Sequence, residues 1–268
     1  MEAITTPHSS YSRLSGFVNI LRSEFCKLRS VRSTFWTLFL AVVFNIGLAA
    51  ILAIFLPGRL SAHEKATIDP IRLSLGGIHL SQVAFGVLGV LVITREYTTG
   101  MIRATLSAVP QRRVMLAAKT IVFAATALSV GIFASFAAYF VFQAFISGES
   151  LRSSIGDPGV LRAVTGGGLY LTVLGLFGLG LGAIIRSSAG AIAALLGGLF
   201  VPQLLTELLP QPWKDTIGPY LPMQAGSQIL ALHQEAGALG AWSGFGVFCL
   251  YAVVALAAGF VLINHRDA

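Results

Sequence analysis

The amino-acid sequence predicts an all-α integral membrane protein with six transmembrane helices. Hydrophobic residues make up 55% of the 268 residues and charged residues only 11%, with a mean hydropathy of +0.80. Soluble domains carry about a quarter charged residues, so this composition excludes an ordinary soluble protein. Several apolar runs reach about 20 residues, the length that a helix needs to cross a bilayer. The net charge of +7 does not indicate nucleic-acid binding, because the basic residues gather at the ends of these runs.

Residues 1–33 are predicted to form a cytoplasmic N-terminal segment that precedes the six-span domain of residues 34–268. Residues 1–14 are polar and are expected to be disordered. From Gly16 onward, apolar residues recur on one helical face while basic residues point elsewhere. This pattern favours an amphipathic helix in the membrane interface, and an ordinary cytosolic helix is the alternative. The apolar face consists of Phe17, Ile20, Leu21, Phe25 and Leu28.

Spans one to three are predicted from long apolar runs with few charges. Span one covers residues 34–56 and ends at Pro57-Gly58; its length and the residues before it exclude a cleaved signal peptide. Residues 57–75 form a polar loop, and span two follows at residues 76–94. Span three runs over residues 114–146, long enough that its first turns should stand outside the membrane.

Spans four to six carry residues that change how a helix packs or ends. Span four, residues 165–185, is rich in glycine, and small residues three or four apart let helices approach closely in lipid. Its glycines include Gly175, Gly178, Gly180 and Gly182. Span five, residues 190–209, is expected to be broken by Pro202. Residues 210–240 are rich in proline yet apolar, which predicts a broken, partly re-entrant or interfacial segment before span six at residues 241–263.

The basic residues predict the orientation of the chain. Six spans place both termini on one side, together with the loop between spans two and three. That side carries twelve Lys and Arg residues against six on the other. Cytoplasmic loops carry an excess of Lys and Arg, so a multi-pass protein of the cell membrane with both termini in the cytoplasm is expected.

The stretch between spans two and three has the features of a docking element. Ile102, Leu106 and Val109 recur at helical spacing, which predicts a short helix with one apolar face. Gly100 permits a tight entry into this helix, and Pro110 ends it. A short amphipathic helix held between two spans presents an apolar ridge and a few charges to a soluble partner.

No enzyme signature is found in the sequence. His63-Glu64 lacks the second histidine of a zinc protease motif, because position 67 is threonine. Neither a nucleophile elbow nor a phosphate-binding loop is present, and the two cysteines, Cys26 and Cys249, are too few for a metal cluster. We therefore predict no catalytic, nucleotide or metal site. An acidic residue in the middle of a span, which a proton-driven carrier needs, is also missing from the predicted spans.

These features together resemble the membrane subunit, or permease, of type-2 ABC exporters. The basic amphipathic N-terminal helix, the six spans and the broken segment before span six all fit that family. A pattern of Glu-x-x-x-Gly-x-x-x-x-x-Leu-x-x-x-Pro follows span two, with Glu96, Gly100, Leu106, Pro110 and then Arg112. The resemblance covers nearly the whole chain from about residue 16, although the large outer domain of some relatives is missing.

The resemblance implies partners, a function and a coupling site. Two permeases, either identical copies or sister chains, pair with two separate ATP-binding subunits. ATP and Mg²⁺ are expected on those subunits, no cofactor is expected on this chain, and membrane lipid surrounds it. The cargo implied is a hydrophobic or amphipathic small molecule, lipid or peptide that leaves the cytoplasm. The residues assigned to ATPase coupling are Glu96, Gly100, Ile102, Arg103, Leu106, Pro110, Arg112 and Arg113.

Alternatives remain open at each of these points. The coupling residues can also be explained as positive-inside charges with residues that begin and end helices. The family places the cargo pathway in spans one, two and five, where Asn45, Gln82, Phe85, Phe200 and Gln203 lie at suitable depths. Taken singly, each of them is better explained by helix packing. Other functions left open are an ion-coupled carrier or channel, and a membrane anchor or sensor that moves no cargo.

Overall fold

The structure of the chain is a bundle of helices. The computed structural model describes residues 9–61, 63–64, 68–101, 111–146, 151–208, 210–234 and 237–265, and no strand occurs in these ranges. The helices are α1 (Ser9–Ser30), α2 (Arg32–Phe55), α3 (Pro70–Ser74), α4 (Ile78–Thr98), α5 (Arg112–Phe145), α6 (Val160–Ile185), α7 (Ser188–Glu207), α8 (Gln211–Ile217), α9 (Pro222–Ser227) and α10 (Ala241–His265), with 3₁₀ turns at Gly218–Tyr220 and Gln228–Leu230.

Six helices of the described ranges are long and apolar enough to cross a membrane, which confirms the predicted class. They are α2, α4, α5, α6, α7 and α10. Several extend past the apolar runs; α4, for example, continues to Thr98 rather than ending at residue 94. The helix continues because the polar residues at its end do not interrupt the hydrogen bonds of its backbone.

Two sequence predictions about helix limits are wrong. Residues 9–14, expected to be disordered, belong to α1, since a helix that has formed extends at little cost through polar residues. Pro202 does not break span five, because α7 continues through it to Glu207. Transmembrane helices tolerate proline where neighbouring groups and small local adjustments compensate for the missing hydrogen bond.

Helix α6 forms the centre of the bundle and makes its most extensive contacts with α4, α5 and α10. Glycine permits the close approach to α4, as the glycine-rich span predicted. A Cβ atom at Gly178 would collide with the carbonyl oxygen of Gly86, and one at Gly89 would collide with that of Gly175. The two backbones are therefore in direct contact along this line of glycines, which we call the glycine seam.

The segment between α7 and α10 is broken into short helices, as predicted. Its second half packs inward: Ala225 and Ile229 are fully buried and contact the α6 and α10 region. Asp69, which caps α3, accepts a hydrogen bond from the backbone N–H of Leu232 at 2.7 Å and so links this segment to the loop after span one. The depth of the segment in the membrane stays a prediction.

Candidate functional site

Four charged side chains meet where α1, α4 and α5 converge. Nζ of Lys119 lies 2.6 Å from Oε2 of Glu24 and 2.5 Å from Oε1 of Glu96. Nζ of Lys27 lies 2.8 Å from Oε1 of Glu24 and 3.2 Å from Oε1 of Glu96. We call these four residues the charge cluster. Lys119 is only 2% exposed, Glu24 4% and Glu96 6%, so three of the four charges are removed from water.

The charge cluster balances two carboxylates with two ammonium groups. Taking such charges out of water costs several kcal/mol per ion unless each has partners of opposite sign. Lys27 is the most exposed member and lies outside the spans. Burial lowers its pKa, but hydrogen bonds and the charges of Glu24 and Glu96 outweigh burial and raise the pKa above the usual lysine value. Lys27 therefore keeps its charge at neutral pH.

The cluster joins three helices at one end of the bundle. Glu24 and Lys27 are one helical turn apart on α1, Glu96 lies in the last turn of α4, and Lys119 lies two turns into α5. The connection from α4 to α5 begins at Thr99, three residues after Glu96. Ion pairs therefore connect α1, α4 and α5 at this end of the bundle, in addition to the chain itself.

The residues predicted to couple to an ATPase fall into two groups. Ile102, Arg103, Leu106 and Pro110 lie outside the residues that the structure describes. Of the others, Glu96 belongs to the charge cluster and Gly100 has a φ of +70°, a backbone conformation that favours glycine. Arg112 donates from Nη1 to the carbonyl oxygen of Ile263 at 3.2 Å, and Arg113 is exposed at the start of α5.

The five residues predicted to line a pathway do not share one cavity. Asn45 and Phe85 are buried in helix contacts, and Asn45 packs against Gly77. Oε1 of Gln82 accepts a hydrogen bond from the hydroxyl of Tyr170 at 2.6 Å. The remaining two are on α7: Phe200 is 38% exposed, and Gln203 lines a cavity of about 210 Å³ at the end opposite the charge cluster. Their role in a pathway stays a prediction.

Sequence reasoning missed Glu24, Lys27 and Lys119 as site residues. Lys119 lies inside α5 and is buried there. The signal was available, because a lysine within a long apolar helix is costly unless it has a partner. On α1, Glu24 lies at the centre of the packed face, whereas Phe25, assigned to that face, is 51% exposed. On α4, Glu96 is tied to α1 by its ion pair with Lys27.

A second cavity, of about 450 Å³, borders the charge cluster. It is lined by residues of α1, the start of α2 and the second half of α4, together with Lys119 of α5. Elsewhere in the described ranges, no group of three or more His, Cys, Asp or Glu residues is placed to hold a metal ion.

Six candidate spans, with an N-terminal helix joined by ion pairs to α4 and α5, define a polytopic membrane protein. The chain belongs to the ABC-2 family of transporter proteins, whose model matches residues 20–201, more than half of the sequence. A search of curated proteins finds no match. The chain is thus the membrane subunit of an ABC transporter, a family that pairs with a separate ATP-binding subunit.

Proposed function

We propose that this protein is the membrane half of an ATP-driven exporter that moves a hydrophobic or amphipathic small molecule, lipid or peptide out of the cytoplasm. A separate ATP-binding subunit, which holds ATP and Mg²⁺, docks on the loop between α4 and α5. The apolar ridge of Ile102 and Leu106 contacts that subunit, with Arg103, Arg112 and Arg113 around it. Both termini and the docking loop face the cytoplasm.

The observation that carries this proposal is the charge cluster. A loop that served only to connect two helices would not need buried ions at its base. Here Lys119 on one side of the loop is paired with Glu96 on the other side and with Glu24 on α1. Since a buried ion pair holds only one good geometry, the three helices respond as a unit when the loop is displaced. Such a unit is what transmission of an ATPase movement requires.

A second permease completes the pathway in this proposal. Helices α2 and α7 are the least buried of the six spans, and they carry exposed aromatic side chains such as Phe44 and Phe200. Apolar faces of this kind suit lipid or a second copy. We propose that an identical or sister chain packs there, with cargo moving along the contact between the two permeases. Because α4 and α6 pack against each other along the glycine seam, these two helices do not take part in that contact.

Co-purification tests the proposal most directly. The tagged chain is isolated from its native membrane in mild detergent, and an ATP-binding subunit that hydrolyses ATP is expected with it in equal amounts. Mass measurement of the complex in nanodiscs is expected to give two permeases and two ATPases. A stable complex with a single permease would refute the dimer, and isolation without any ATPase would favour an anchor or an ion-coupled carrier.

Direction is tested in inside-out vesicles that contain the complex. We expect ATP to drive an amphipathic fluorescent probe into the vesicle lumen, and no uptake with a non-hydrolysable ATP analogue. Uptake driven by a proton gradient without ATP would contradict the exporter and support a carrier.

A further inference from the structure

The cavity beside the charge cluster has the dimensions and the polarity of a site for an amphiphile. Its volume of about 450 Å³ lies within the range of small-molecule pockets. Its wall is apolar on the side that faces along α4 and polar at the end of that helix. The apolar lining consists of Leu28, Val31, Leu88, Leu91, Val92 and Met101.

The polar and apolar parts of the cavity lie at different depths. Leu88 is eight residues before Glu96 on α4. At 1.5 Å per residue, it lies about 12 Å further along the helix axis, toward the bilayer interior. A molecule in the cavity would therefore place an apolar chain against Leu88 and Leu91 and a polar group beside Glu96, which is the orientation of a lipid in its leaflet.

One oxygen of Glu96 lacks a partner. Oε1 accepts from Lys27 and Lys119, whereas Oε2 is buried and has no hydrogen-bond partner in the described part of the chain. Leaving a buried charged acceptor unsatisfied is costly. Both oxygens of Glu24, by contrast, accept from a lysine. Glu96 lines the cavity, but Oε2 itself is enclosed by protein atoms, so a ligand N–H donor reaches it once the carboxylate turns toward the cavity.

The charges around the cavity favour a ligand that also has an anionic group. Its lining includes Lys27, Arg95 and Lys119 against Glu24 and Glu96, an excess of one positive charge. The guanidinium of Arg95 has no ion-pair partner among the described residues. A simple cation would meet this excess unfavourably. A zwitterion can place an ammonium at Glu96 and a phosphate at Arg95, so that both are satisfied.

From these observations we infer that the cavity binds a zwitterionic phospholipid with a primary ammonium headgroup, of the phosphatidylethanolamine type. The Glu96 carboxylate turns toward the cavity so that the ammonium donates to it, the phosphate pairs with Arg95, and an acyl chain lies along Leu91, with the buried Leu88 at its far end. The lipid is a resident ligand that fills the space between α1 and α4. This site requires neither an ATPase nor transport, so it stands or fails independently of the proposed exporter function.

Native mass spectrometry of the purified full-length chain tests the headgroup. The chain is titrated with dioleoyl phosphatidylethanolamine and, separately, with dioleoyl phosphatidylcholine. The two lipids have the same chains and the same net charge, but only the first has N–H donors. We expect at least one ethanolamine lipid to bind about tenfold more tightly than the choline lipid. Equal binding of both, or tighter binding of dioleoyl phosphatidylglycerol, would overturn the assignment.

A matched pair of variants tests the contact with Glu96. Glu96→Gln and Glu24→Gln each remove one negative charge from the charge cluster, but only the first removes the unpartnered acceptor. We expect Glu96→Gln to abolish the preference for ethanolamine over choline, and Glu24→Gln to retain it. Loss of the preference in both variants to the same extent would show a general charge effect and contradict direct binding.

A second pair tests the location without touching the ions. Leu91→Trp fills the cavity and is expected to lower ethanolamine-lipid affinity about tenfold. Leu80→Trp, at an exposed position near the other end of α4, is the control and should leave the affinity unchanged. A phosphatidylethanolamine with a diazirine in its acyl chain should label the peptide of residues 88–101 in the unaltered chain. Unchanged affinity in Leu91→Trp, or labelling elsewhere only, would overturn the site even if the glutamate variants fail to fold.

Discussion

Nζ of Lys119 lies 2.5 Å from Oε1 of Glu96, across the base of the loop that joins spans two and three. The two residues are 23 positions apart, and the stretch between them contains the whole predicted docking helix. Glu24 approaches the same ammonium group from α1. Lys119, on α5, therefore forms ion pairs with both of the other helices, α1 and α4.

Removing that ammonium should destabilise the bundle strongly. Lys119→Met keeps the length and apolar stem of the side chain but leaves Glu24 and Glu96 as buried carboxylates with one lysine between them. Breaking a buried ion pair by removing one partner costs about 3–5 kcal/mol. We expect a large drop in the thermal unfolding midpoint of the detergent-solubilised chain, measured by intrinsic tryptophan fluorescence.

Lys27→Met is the matched control for this loss. The side chain of Lys27 is 36% exposed, so its pairs are partly screened by water. Partly exposed pairs contribute about 0–1 kcal/mol, and the unfolding midpoint should fall much less than in Lys119→Met. Equal effects of the two variants would mean that Lys119 is not the centre of the cluster.

The sequence predicts the spans well but not this cluster, for a physical reason. Span length and apolarity are local properties, so α2, α6 and α10 follow from short windows of sequence. Glu24 and Lys119 are separated by 95 positions, and no periodicity links them. On α1, the apolar residues Phe17 and Leu28 also suggest a face that contacts lipid, which hides the role of Glu24. Only the docking of α1 onto α5 shows that a carboxylate lies at its centre.

The close packing of α4 and α6 predicts that alanine substitution lowers stability at some glycines and not at others. In Gly178→Ala, the added methyl group collides with the backbone of Gly86, which cannot move as a side chain could. Overpacking of this kind costs about 1–3 kcal/mol, and we expect a lower unfolding midpoint.

Gly246→Ala is the control for the glycine seam. Nothing lies within 4 Å of the position that its Cβ would occupy. Alanine is the better helix former by up to about 1 kcal/mol, so this variant should be neutral or slightly more stable. A stable Gly178→Ala protein would show that the two helices are further apart than the structure places them. The sequence identified the glycine-rich span, but which glycines face α4 follows only from the packed bundle.

Orientation is predicted from charge and can be checked by labelling. In a background of Cys26→Ala and Cys249→Ala, single cysteines are placed at positions 10, 65, 214 and 267. A membrane-impermeant maleimide applied to intact cells should modify positions 65 and 214 only, because the twelve basic residues hold the other side in the cytoplasm. Labelling of positions 10 and 267 instead would reverse the orientation.

The last prediction concerns the docking helix itself. If its apolar ridge occupies a groove of the ATPase, Leu106→Asp places an unpaired carboxylate in a buried contact, at a cost of several kcal/mol. Each 1.4 kcal/mol is about tenfold in affinity, so co-purification of the ATPase and hydrolysis by the complex should collapse while the permease still inserts. Leu106→Met keeps an apolar side chain of similar volume and should retain both.

Arg112→Ala provides the graded comparison. Arg112 is partly exposed, so an ion pair that it forms with the ATPase is expected to contribute about 0–1 kcal/mol. Its effect on ATPase binding should therefore be at least about tenfold smaller than that of Leu106→Asp. The order of the two effects distinguishes a docking surface from a connector. If Leu106→Asp binds the ATPase as well as the unaltered chain does, the loop only joins two spans, and the charge cluster at its base serves stability rather than coupling.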